Sequence, residues 1–145
     1  MVPSNVGDIA HVIQLAVAPV FLLTGVGTLL MVLTNRLGRA VDRSRVVEKL
    51  LPEQKGDSLA ASHEELALLA RRTQLIYTAI TLAVLCALFV CLLIAVAFVD
   101  AFMVANLAKM IGALFVMAML ALIVSLIVFL REIFLAVTSA RRAMH

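Results

Sequence analysis

The sequence predicts an all-α membrane protein of three transmembrane helices with long cytoplasmic helical extensions, and three observations carry that reading. The 145 residues are 64% hydrophobic and 14% charged, where an ordinary soluble domain is roughly 45–50% apolar and about 25% charged. Three stretches free of charged residues each exceed the roughly 18 residues that mark a transmembrane candidate. The basic residues stand at the borders of these stretches. A soluble globular enzyme is excluded, because a fold of about 150 residues still leaves roughly 30% of its unfolded-chain surface in water. The net charge of +3 calls for no nucleic-acid partner, since membrane topology accounts for where the positive charges fall.

Span 1 covers residues 12–35, between His11 and Arg36, and as a helix reaches about 36 Å. No Lys or Arg precedes Arg36, so the charged start of a cleavable signal is missing and this run is expected to stay in the mature protein. Pro19 lies inside it and predicts a mild kink near Gln14–Ala18. Residues 36–72 follow as a cytoplasmic helical hairpin. Leu37, Val41, Val47 and Leu51 form the stripe expected on its first arm, and Leu59, Leu66, Leu69 and Ile76 the heptad of its second. Pro52, Gly56, Asp57 and Ser58 supply the stop, the turn and a new N-cap.

Span 2 is residues 73–99, bounded by Arg72 and Asp100, and span 3 is residues 110–130, bounded by Lys109 and Arg131. The short external loop between them makes spans 2 and 3 antiparallel neighbours, with Asn106 as the expected N-cap of the third helix. Residues 131–145 continue that helix as a cytoplasmic tail, along the seam Ile133, Val137, Ala140, Met144. The three helices expected are Asn5–Leu51, Asp57–Asp100 and Asn106–Arg142 within a single domain, their ends projecting about 15–25 Å beyond the bilayer. Every Lys and Arg except Lys109 falls on one side of this topology. The positive-inside rule then sets the N-terminus outside and the C-terminus in the cytoplasm.

The wording of two segments is familiar: Ile13-Gln14-Leu15-Ala16-Val17-Ala18-Pro19-Val20-Phe21-Leu22-Leu23, continued by Leu33-Thr34-Asn35-Arg36-Leu37-Gly38-Arg39-Ala40-Val41-Asp42-Arg43-Ser44-Arg45, and Phe129-Leu130-Arg131-Glu132-Ile133-Phe134-Leu135-Ala136. With these motifs the chain resembles the bacterial membrane family known as domain of unknown function 2721, over nearly its whole length. The resemblance implies a three-span bacterial membrane protein and brings no activity with it.

Three groups of residues are candidates for function. Gln14, Ala18, Gly25, Thr28 and Asn35 share one side of the first helix at 100° per residue, interrupted by Phe21 and Val32. Such a stripe either lines a narrow pore formed by several copies or packs helices closely, with Gln, Thr and Asn bonding across the contact. Asp8 and His11 lie with Gln14 at the external end, where they form an entrance or simply occupy the headgroup layer. At the cytoplasmic boundary Arg36, Arg39, Asp42, Arg43, Arg72, Arg131 and Glu132 share one depth. There an unpaired carboxylate is costly, so Glu132 is expected to take Arg36, Arg39 or Arg72. That layer reads as structural ion pairing, as an anion-attracting or gating ring, or as a lipid-headgroup contact.

Nothing gathers a nucleophile, a base and an orienting group, and no catalytic residue, metal site or cofactor is expected. Cys86 and Cys91 read as small fillers. Thr78, Thr81 and Ser125 read as hydroxyls bonded back to their own helix, and Ser62-His63-Glu64-Glu65 as a capping box or a solvated face. Two functions remain open: a homo-oligomeric channel or pore-like assembly, and a scaffold whose cytoplasmic bundle binds a protein partner or lipid.

Overall fold

The computed structural model describes residues 3–144, with the side chains of residues 3–6, 8 and 143 outside the description. The described chain is helical, in the order α1 (Pro3–Leu50), a single 3-10 turn (Leu51–Glu53), α2 (Asp57–Met103) and α3 (Ala108–Ala143). All three helices are long and apolar enough to cross a membrane, which makes this a multi-pass membrane protein. Pro19 is accommodated within α1, at the loss of one helical hydrogen-bond donor.

The breaks between helices have local causes. Pro52 lies in the 3-10 turn that follows α1, which closes through the Gln54 N–H on the Leu51 carbonyl at 3.2 Å. Gly56 then takes φ +67°, a left-handed conformation open to a residue without Cβ. Its carbonyl accepts the Ala60 N–H at 3.2 Å as α2 begins, and the Ser58 hydroxyl donates to the Lys55 carbonyl at 2.9 Å. The capping box read at Ser62–Glu65 is therefore displaced, because α2 already starts at Asp57. Ser62 instead donates to the Gln54 side chain.

Between α2 and α3 only Val104–Leu107 is non-helical. Val104 and Asn106 both have positive φ, 51° and 55°. The Val104 N–H closes the end of α2 on the Asp100 carbonyl at 2.8 Å. Asn106 is not the N-cap expected of it. Leu107 precedes the helix, its carbonyl accepting the Ile111 N–H at 3.0 Å, while its own N–H goes to Asp100 Oδ1 at 2.8 Å. The Leu107 N–H is thus taken by an acid seven residues upstream, and Asn106 at φ 55° lies outside the extended conformation of an N-cap.

The chain forms two compact units. The first takes α1 as far as Leu30 together with Leu82–Ile123. Its core is Val26, Ala83, Cys86, Val90 and Ala118, edged by Leu22, Leu23, Leu29, Phe89 and Leu122. The second takes Met31–Thr81 and α3 from Val124 onward. There burial recurs every seven residues, through Leu33, Ala40 and Val47 on α1, Ser62, Leu69 and Ile76 on α2, and Ser125 and Glu132 on α3. This is the spacing of helices packed along a narrow seam. Of the first-arm stripe only Val47 is buried, whereas Leu37, Val41 and Leu51 are half-buried. The seam runs instead through Leu33 and Ala40, where a small residue lets backbones approach.

Candidate functional site

In the second unit the heptad seam carries three charged side chains inward. Glu132 follows Ser125 by seven residues on α3 and is 0% exposed. Its Oε2 accepts from Arg36 Nε of α1 at 2.7 Å, and its Oε1 from Arg72 Nε of α2 at 3.0 Å. Both carboxylate oxygens are thus occupied, each by a different helix. The Arg36 guanidinium also lies 5.6 Å from the centroid of the Phe129 ring, within the range in which a ring face attracts a cation. Two guanidiniums around one carboxylate leave one uncompensated positive charge, held by side chains that stay 29% and 20% exposed. Burying a lone carboxylate is prohibitive, and Glu132 is buried together with both of its partners.

The other residues expected in this layer separate. Arg43 donates through Nε to Glu65 Oε1 at 2.7 Å, and the bond and charge of Glu65 hold the guanidinium above its ordinary pKa. Arg39, Asp42 and Arg131 are exposed and make no ion pair among the described residues. Arg39 is excluded from the triad by angle. It stands one residue before the buried Ala40 and so points about 100° off the seam.

Ser125 corrects an expectation as well. Its hydroxyl does not bond back to α3 but donates to the Ala79 carbonyl of α2 at 2.7 Å, and both residues are 0% exposed. Thr78 and Thr81 do bond their own helix, to Gln74 and Tyr77 carbonyls. The signal for Ser125 was present in its spacing, seven residues before a glutamate that had to be buried or paired.

On α1 the small and polar stripe faces away from the core. In the first unit Gln14, Ala18, Gly25 and Thr28 are all exposed, and in the second Asn35 is exposed too. Thr28 donates to the Thr24 carbonyl at 3.1 Å and Thr24 to the Val20 carbonyl at 3.3 Å. The Gln14 and Asn35 amides have no hydrogen-bond partner among the described residues.

At the other end of the first unit, His11 lines a cavity of about 620 Å³ together with Asp100, Pro19, Ala97, Gly112 and Phe115. The entrance expected of Asp8 and His11 is incomplete here, because the Asp8 side chain lies outside the described residues. The carboxylate that joins His11 in this cavity is Asp100, which sequence reading used only as the border of span 2.

Compared with known proteins, residues 16–142 match the family described as Protein of unknown function (DUF2721). No curated protein and no solved structure matches the chain.

Proposed function

The chain belongs to the DUF2721 family, and we propose that it acts in the bacterial inner membrane as a homo-oligomeric, pore-like assembly. The observation that carries this reading is the exposure of Gln14, Ala18, Gly25 and Thr28 on α1, with the Gln14 amide unpartnered among the described residues. A primary amide facing hydrocarbon is costly. The stripe of another copy offers both a small-residue contact and a bonding partner. Val26, Ala83, Cys86, Val90 and Ala118 pack the centre of the first unit, and the exposed stripe of α1 leaves the surface between copies for a water path. The positive-inside rule supports an external N-terminus and a cytoplasmic C-terminus, with residues 36–72 and 131–145 as cytoplasmic helical extensions. No side chain is assigned a catalytic role and no cofactor is invoked.

The second reading is a scaffold, favoured by Thr24 and Thr28, whose hydroxyls are taken up by their own helix and leave a surface suited to dry packing. Its cytoplasmic arms would then bind a protein partner. Ion flux into liposomes carrying the purified full chain separates the two. The pore reading expects flux above empty liposomes, altered by Gln14→Leu and Thr28→Val. Background flux in every preparation contradicts the pore and leaves the scaffold, for which charge reversal at exposed Arg39 and Glu48 should abolish partner capture.

A further inference from the structure

Arg71 and Arg131 are the neighbours in sequence of the paired Arg72 and Glu132, yet neither takes part in the triad. Each points about 100° away from its paired neighbour. In the second unit they line one side of a groove of about 480 Å³ shared by α2 and α3, with Gln74 beside them and Leu75, Phe134 and Leu135 as its apolar part. The Thr138 hydroxyl at its edge is committed to the Phe134 carbonyl at 2.9 Å.

Neither arginine has an ion-pair or hydrogen-bond partner among the described residues. The nearest carboxylate in sequence cannot serve them, because both oxygens of Glu132 are taken by Arg36 and Arg72. Arg36, Arg71, Arg72 and Arg131 together outnumber Glu132 by three charges, and Arg71 and Arg131 are the two that have no bonded carboxylate among the described residues. The groove also lies where the apolar runs 73–99 and 110–130 give way to charged sequence. That is the depth of lipid phosphates when the runs cross a bilayer.

We propose that this groove is a binding site for one anionic phospholipid, its phosphate held by Arg71 and Arg131 and its glycerol and upper acyl region resting on Leu75, Phe134 and Leu135. Guanidinium groups suit phosphate oxygens, to which their planar forks donate in pairs. Gln74 supplies a neutral donor and acceptor for a headgroup hydroxyl. A zwitterionic headgroup is disfavoured because its ammonium would enter a field of uncompensated positive charge. The site is independent of how many copies assemble.

Native mass spectrometry of the full chain in detergent, titrated with phosphatidylglycerol or phosphatidylcholine, tests this. Phosphatidylglycerol is expected to remain bound where phosphatidylcholine has dissociated. Arg71→Gln and Arg131→Gln should each weaken phosphatidylglycerol roughly fivefold, while Arg141→Gln with Arg142→Gln, at the far end of the same helix, should change it little. Equal binding of the two lipids, or unchanged phosphatidylglycerol binding in both single variants, overturns the proposal. So does displacement of bound phosphatidylglycerol by inorganic phosphate at equal concentration, which would make the groove a site for a free anion.

Discussion

Glu132 concentrates more of this protein's stability than any neighbouring charge, because a 0%-exposed carboxylate ties together one arginine from α1 and one from α2. Glu132→Ala leaves two arginines facing each other in a partly buried layer, and breaking a buried pair this way costs about 3–5 kcal/mol. Replacing Arg36, Arg72 and Glu132 together by apolar residues of similar volume should cost far less, since the desolvation penalty disappears with the charges. Thermal unfolding in detergent measures both, and equal losses in the two variants would sink the argument. Ser125→Ala removes one interhelical bond and should cost about 0.6–1.7 kcal/mol by the same measurement. By contrast, the exposed Arg43–Glu65 pair should contribute at most about 1 kcal/mol. Its pH dependence is remote. Arg43 is held above its ordinary pKa, so on the alkaline side that contribution is complete at neutral pH and fades as pH climbs through the raised, strongly alkaline value. Residue by residue, the need of Glu132 for an arginine was legible, because charge at a span boundary has few solutions. Which arginine was not, because choosing Arg36 and Arg72 over Arg39 requires the seam's register.

That register is an element-scale property, and ordinary hydrophobic contrast conceals it. In helices that are apolar all round, large residues such as Phe21, Met31 and Leu120 are exposed while Ala40, Ala79, Ala83 and Ala118 are buried. Counting large hydrophobes therefore traces the exposed face as readily as the buried one, and at Leu37, Val41 and Leu51 it picks residues that flank the seam half-buried while the small Ala40 sits within it. Turn chemistry was more legible. Pro52 and Gly56 mark the break between α1 and α2 through rules that do not depend on solvent. Asn106 failed because it stands one residue before the cap position with φ 55°, outside the extended conformation an N-cap takes, while Asp100 accepts the Leu107 N–H. Both left-handed positions make predictions. Gly56→Ala forces a Cβ into φ +67° and should destabilise by about 1–2 kcal/mol. Val104→Gly relieves a β-branched residue at φ 51° and should stabilise by about 0.5–1 kcal/mol. A change of opposite sign in the melting temperature of either variant would contradict this account of the turns.

At the scale of the whole molecule, the three membrane-crossing helices follow from composition and the length of uncharged runs, whereas the function depends on what covers α1. Gly25 gives a clean probe of that surface. A Cβ added there meets nothing within 4 Å in the single chain, so Gly25→Leu should not lower the melting temperature of the isolated chain, leucine being the better helix former, and should weaken only contacts between copies. Cys91, exposed on α2 where Cys86 is buried, offers a labelling site on another helix. The central claim is that α1 meets other copies of itself around an axis. Native mass spectrometry of the full chain released from lipid nanodiscs tests it most directly. The account predicts a ring of about five or more copies, reduced to smaller species by Gly25→Leu, and a monomer or dimer of the unaltered chain would contradict it.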